Sequence, residues 1–183
     1  MTTPLRAADY LGRANQSDPS DAIVARDLAR VLLAQADASG DQSSQRALWA
    51  KACDTLKAAF NLGRGRADFV CLLGRAQNKL CQFEETAKLL AGVRITVWEG
   101  SHEAHDLFEE AHLAAGRAHL AAGHPAEALK EFDRALEYPE NLATGKLEKA
   151  KEGHIHRLRA DALAALGNQD GARQARELAD KSE

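Results

Sequence analysis

The densest set of chemically capable side chains in this 183-residue sequence lies between His102 and His119. His105, Glu109 and His112 stand at i, i+4 and i+7, with His102 one turn earlier, so imidazoles and a carboxylate share one helix face. Together they are the donor types of a zinc site. Metal ligation, however, needs donor atoms within about 2 Å of one point, and residues seven apart on a helix are about 10 Å apart along its axis. One helix cannot bring them all together. We therefore read His112 and His119 as residues of the core or its boundary, and expect no metal.

Other candidates carry less. The run Gly63-Arg64-Gly65-Arg66 could offer backbone donors to a phosphate, but no strand precedes it and the full glycine pattern is missing. Gly63 is expected instead to cap a helix running through residues 56–62. No Ser/His/Asp set, nucleophile elbow or HExxH motif is present, so the sequence predicts no enzyme and no cofactor. Of the three cysteines, Cys71 and Cys81 would lie about 15 Å apart along one helix, too far to bridge. Cys53 reads as a small apolar core residue.

The elements that must position these groups follow a repeated steric pattern. Between residues 109 and 139, Ala115-Gly116 and Ala118 belong to one helix, Gly123 to a turn, and Ala128, Phe132 and Ala135 to a second helix. Helices packing about 8 to 10 Å apart need small residues where their backbones approach, and Gly116, Ala128 and Ala135 meet that need. Gly123 suits the positive φ that closes a helix, and Pro125 suits the first turn of the next.

The unit recurs. Leu73-Gly74, Ala76, Gln82-Phe83-Glu84-Glu85, Thr86 and Leu90 repeat it, with Cys81 at the turn position where glycine is usual. Leu28-Ala29 and Leu32 open an earlier copy whose second helix holds Ala52, Leu56 and Ala59, with a polar insertion at residues 37–45. Ala160, Ala162, Gly167-Asn168, Ala172 and Ala179 form the last copy, where Arg176 replaces a large apolar residue and implies an exposed final helix. The small positions Ala29, Gly74, Gly116 and Ala160 are 45, 42 and 44 residues apart, so longer helices or loops must absorb the excess over about 34.

This pattern resembles the tetratricopeptide repeat family. The resemblance implies an all-α fold, a right-handed superhelical stack of antiparallel helix pairs with about nine helices in one domain. Its expected parts are an orphan helix at residues 1–19 and repeats at 20–63 (with a long loop), 66–93, 101–139 and 146–181, the last with the capping helix. The short β-branched cluster from Val93 to Trp98 is expected to be a connector, Ser101 an N-cap, and Pro139 and Gly145 punctuation around a loop. From Arg94 to Gly167, the Trp98-Glu99-Gly100 entry and the Pro139-Glu140-Asn141-Leu142 loop resemble the C-terminal repeat block of large bacterial proteins that carry a β-rich domain of unknown function. That resemblance implies a stand-alone version of the block or a segment of a longer protein.

In such stacks the first helix of each pair lines a concave groove. Carried over, the pattern places Ile23, Arg26, Arg30 and Leu33 there, then Asp68, Cys71, Arg75 and Asn78, then Glu110, Leu113, Arg117 and Leu120, and finally His154, Arg157, Asp161 and Ala164. Of these, Arg26, Arg30, Arg75, Asn78, Arg117, Leu120, His154 and Arg157 are the expected partner-binding residues. An arginine in every unit suits an acidic protein or peptide, since the guanidinium fork holds two oxygens. The competing reading is a solvated surface in which Asp27, Asp68, Glu110 and Asp161 neutralise the row. The Lys and Asn clamp of repeats that grip a C-terminal carboxylate is missing, because Arg26, Arg30, Leu72, Glu110 and Ala114 stand at those sites.

The expected function is an interaction scaffold, or alternatively a homo-oligomerising module attached to or serving a carbohydrate-related bacterial enzyme, with Leu5, Tyr10 and Leu11 as an apolar N-terminal edge. A net charge of −3 gives no reason to expect nucleic acid or membrane binding. The absence of an apolar leader and of a span of about 18 apolar residues points to the cytoplasm.

Overall fold

A computed structural model describes residues 4–96, 102–148 and 150–182, and places ten α-helices among them. After α1 (Pro4–Ser17), the pairs are α2 (Ala22–Ala38) with α3 (Gln42–Ala58), α5 (Ala67–Lys79) with α6 (Phe83–Ala91), α7 (Glu103–Ala121) with α8 (Pro125–Ala135), and α9 (Gly153–Ala165) with α10 (Gln169–Lys181). The tenth helix, beyond the nine expected, is the single turn α4 (Phe60–Gly63), split from α3 at Ala59. The first helix of each later pair contacts both helices of the pair before it, and α1 packs on α2. This is a tetratricopeptide-like helical stack, in which each unit buries its apolar face only against its neighbours.

Packing follows the small residues. Ala29 and Ala160 are fully buried, as are Ala128 and Ala135, and Gly74 and Gly116 lie inside too. A Cβ at Gly116 would stand 2.4 Å from the Phe132 ring, so the bare backbone is what lets α7 and α8 close over that fully buried side chain. Three adjoining apolar clusters run along the stack. Leu28, Leu32, Leu56 and Phe69 centre the first; Val70, Leu90, Phe108 and Leu142 the second; Leu113, Phe132 and Ile155 the third.

Three of the four hairpin turns repeat one geometry. Cys81 (φ 60°), Gly123 (φ 79°) and Gly167 (φ 79°) are left-handed. Each donates to the carbonyl three residues back, and the next residue donates to the carbonyl five back: Gln82 to Gln77, His124 to His119, Asn168 to Leu163. This closes α5, α7 and α9 and satisfies their terminal carbonyls, whereas α2 ends at an extended Ser39. Cys81 thus occupies the glycine position, at the conformational cost of a Cβ in that region.

Several expectations are corrected. Residues 37–45 form no long loop, because α2 runs through Ala38 and α3 starts at Gln42, leaving a three-residue turn capped by Asp41, which accepts from Ser44 N at 2.7 Å. Two 17-residue helices therefore absorb most of the first long repeat interval. Gly63 does not take a left-handed cap. It is buried, and a Cβ there would lie 2.6 Å from the Phe69 ring, so its role is close approach. Ser101 lies outside the described residues, and His102 flanks the start of α7. Pro139 ends no helix, since α8 has already stopped at Ala135; it precedes a 3-10 turn, Glu140–Leu142.

That turn fastens two units together. Asn141 Nδ2 donates to the Leu90 and Val93 carbonyls at 2.7 and 2.8 Å, while Ile95 N donates to the Asn141 carbonyl at 3.0 Å. Leu142, 1% exposed, plugs the second apolar cluster. The loop after α8 is thereby pinned to the end of α6.

Candidate partner-binding site

The first helices α2, α5, α7 and α9 contact one another in sequence, and polar side chains join each step. Arg26 on α2 reaches Asp27 at 2.7 Å and Asp68 on α5 at 3.1 Å. Arg75 on α5 pairs with Glu103 on α7, and Asn78 Nδ2 donates to Glu110 at 2.9 Å and to the Leu107 carbonyl at 3.3 Å. His154 on α9 donates from Nε2 to Glu109 on α7 at 2.9 Å. Burial raises the Asp68 carboxyl, but the Arg66 and Arg26 guanidiniums pull it on balance below its ordinary value. The Arg26 guanidinium in turn holds its proton more firmly, chiefly through its bond to Asp27.

The expected groove residues therefore divide. Arg26, Arg75 and His154 join neighbouring helices by ion pairs or hydrogen bonds. Asn78 is buried and also serves that joint, and Leu120 is half-buried against the third cluster. Leu33, Cys71 and Leu113 are buried as well, because adjacent first helices approach closely enough to cover alternate inward positions. Arg30, Arg117 and Arg157 are exposed. The row is consequently interleaved with carboxylates: Asp27 and Asp68 meet Arg26 as the competing reading of a neutralised surface expects, while the partner of Arg75 is Glu103, which that reading did not name.

Around the middle of α7 this face is hollow. A cavity of about 530 Å³ is lined by Phe83, Asp106, Glu109, Glu110, Leu113, Ala114 and Arg117. Its floor is apolar and its walls are charged. A second depression, between α6 and α8, comprises adjoining hollows of about 410 and 240 Å³ that share Ala87, Lys88, His112 and Arg134. There the cations are internally paired, Lys88 with Glu85 at 3.4 Å and Arg134 with Glu131 at 3.5 Å, and His112 Nδ1 is hydrogen-bonded to Glu131 at 2.6 Å.

The histidines of α7 point to separate tasks. His105 is buried, stacks on Tyr138 with ring centroids 4.0 Å apart, and donates from Nε2 to the Glu137 carbonyl at 3.0 Å. His112 is buried beside Phe108 and bonded to Glu131. Their partners are separate groups, Glu137 and Tyr138 after α8 for His105 and Glu131 on α8 for His112, so each ring is engaged on its own. Tyr138 adds a hydrogen bond to Glu152 at 3.3 Å, and Glu152 accepts from Lys146 at 2.6 Å. Cys53 and Cys71 are buried, and burial pushes the Cys71 thiol up to about 12. Cys71 is packed in the second apolar cluster, and Cys53, in the first, also directs its thiol at Gln82 Oε1 at 4.0 Å.

At the N-terminal edge Tyr10 is 68% exposed, whereas Leu11 packs on the first cluster and the Leu5 side chain lies outside the described residues. Among the described residues no helix is long and apolar enough to cross a membrane.

No known family model matches the chain, and no curated protein does. Among solved structures, two crystal structures of MamA are similar. One superimposes with a TM-score of 0.56 at 15% identity, over 98% of this chain and 88% of that one. The other gives 0.58 at 15% identity, over 98% and 82%. At that identity the likeness extends to the fold: this chain shares its helical-repeat architecture with MamA along nearly its whole length.

Proposed function

We propose that this chain is a non-enzymatic scaffold that holds a segment of another protein on the face formed by α2, α5, α7 and α9. The observation that carries the reading is the open cavity on α7, where an apolar floor is ringed by polar groups on rigid helices. Peptides laid on helical repeats gain affinity from a few anchors, with the remaining contacts excluding water. Arg30 and Arg157 extend the face on either side of the cavity, and the pairs at Arg26, Arg75 and His154 keep the helices in register rather than contact the ligand.

The test is steric. Ala114 lies half-buried in the cavity wall, and Ala114→Trp would fill the hollow without changing its charge. The partner recovered with the wild-type chain should be lost with Ala114→Trp and retained with Lys130→Trp, placed on the exposed face of α8. Equal recovery by both variants would place binding elsewhere.

A further inference from the structure

We infer that the α7 cavity receives a lysine or arginine side chain of the partner, the opposite sign to the one a row of arginines suggests. This rests on the reading of the first-helix face as the binding face. Three carboxylates, Asp106, Glu109 and Glu110, line the hollow against a single cation, Arg117. The contacts they make leave that imbalance in place. Glu110 is held by the neutral amide of Asn78, which fixes the carboxylate without neutralising it. Glu109 accepts from His154, an imidazole that adds a full positive charge only when protonated. Asp106 is exposed and has no ion pair among the described residues.

The apolar part of the cavity matches the rest of such a side chain. Leu113, 6% exposed, lines the hollow on α7 between the carboxylates and Arg117, and Phe83 and Ala114 line it too. Lysine and arginine lay an aliphatic stem along apolar surface while the charged head stays among oxygens, and an aromatic wall adds attraction for the cation. Asn78, 6% exposed, donates from Nδ2 both to Glu110 and to the Leu107 carbonyl, which ties the carboxylate to the backbone of α7. The field of the group reaches further: burial first, then Glu152, then Glu109 and Asp106 push the Tyr138 phenol up to about 12.

The experiment uses the full chain and small probes. N-acetyl-arginine amide and N-acetyl-lysine amide are titrated by NMR against the isotope-labelled protein, with N-acetyl-glutamate amide as the control. Ligands of this size reach dissociation constants on the order of 10 mM. The cationic probes should shift Leu113, Ala114 and Arg117 signals, and the effect should fall at least about fivefold in the double variant Asp106→Asn, Glu110→Gln. Glutamine keeps an oxygen for Asn78, so the helix joint is preserved; an unchanged circular dichroism spectrum checks it. Raising salt should weaken the effect, since the site is open to counterions. Equal shifts from the glutamate probe, or no cationic shift at 50-fold the protein concentration and above about 50 mM, would overturn the inference. If Ala114→Trp still abolishes partner recovery in that event, the binding face stands and only the charge assignment falls.

Discussion

Alanine at two glycines of the same repeat position should move stability in opposite directions. Gly74 and Gly116 both sit inside first helices, where replacing glycine by alanine stabilises by about 1 kcal/mol through the unfolded chain and helix propensity. At Gly74 the new methyl would meet Leu107 Cδ1 at 3.4 Å and Thr86 Cγ2 at 3.6 Å, ordinary contact distances. Nothing opposes the gain, so Gly74→Ala is expected to be neutral to about 1 kcal/mol more stable. At Gly116 the methyl would lie 2.4, 2.7 and 2.9 Å from three atoms of the Phe132 ring. The nearest is about 1 Å inside normal carbon contact, and the ring, at 0% exposure, has no space to retreat. Overpacking of this kind costs about 1 to 3 kcal/mol. The overlap with three ring atoms puts Gly116→Ala in the upper part of that range, for a net loss of about 1 to 2 kcal/mol and a separation of about 1 to 3 kcal/mol between the two variants.

Urea unfolding followed by helix circular dichroism measures this, with unchanged m-values showing that both variants unfold from the same compact state. A double variant, Gly116→Ala with Phe132→Leu, should recover at least about 1 kcal/mol through direct coupling. A Gly116→Ala protein as stable as wild type, or a Gly74→Ala protein less stable by more than about 1 kcal/mol, would refute the packing argument.

Other substitutions test separate joints of the fold. Phe132→Ala should cost about 3 to 5 kcal/mol in the same assay, as for a fully buried phenylalanine. Cys81→Gly should stabilise by about 1 kcal/mol, because glycine takes φ 60° without the Cβ conflict that cysteine bears. Asn141→Ala should cost about 1 to 3 kcal/mol by stripping the Leu90 and Val93 carbonyls of their donor, and should raise hydrogen exchange at Ile95. Asp68→Asn tests the α2–α5 ion pair by its pH dependence. A carboxyl held below its unfolded pKa contributes stability above about pH 4 that is lost as pH falls through the folded value. The variant should therefore be weaker at pH 7, by at most about 1 kcal/mol because the pair is part-exposed, and the difference should close as pH falls below about 4.

The fold was legible because its demands act locally. A left-handed turn wants glycine, a close crossing wants glycine or alanine, and these marks at Gly74, Gly116, Gly123, Phe132 and Ala160 are spaced by the repeat itself. Cys81 could be assigned to its turn by register alone. Helix ends were harder to place, since Asp41 caps through a side chain in a polar run that also reads as loop, and Gly63 serves packing against Phe69 where the same residue can serve a cap. The pairing on the first-helix face was legible only in part. Which arginine meets which carboxylate depends on partners 42 residues away for Arg26 and 28 for Arg75, and no local pattern specifies that. Position within a repeat likewise does not say that Cys71 and Asn78 are covered by the next first helix. The loop holding Asn141 is distinctive in sequence, but the bonds its side chain makes are not, because its two acceptors lie about half a hundred residues earlier.

The account stands most directly on where a bound protein touches the stack. A photo-reactive amino acid replacing Arg117 in the cavity wall, and in a separate variant replacing Lys130 on the exposed side of α8, can be irradiated in the cells that make the chain. A protein adduct at position 117 and none at 130 is the predicted result. An adduct at 130 alone, or at neither position, would contradict the claim that this scaffold works through its first-helix face.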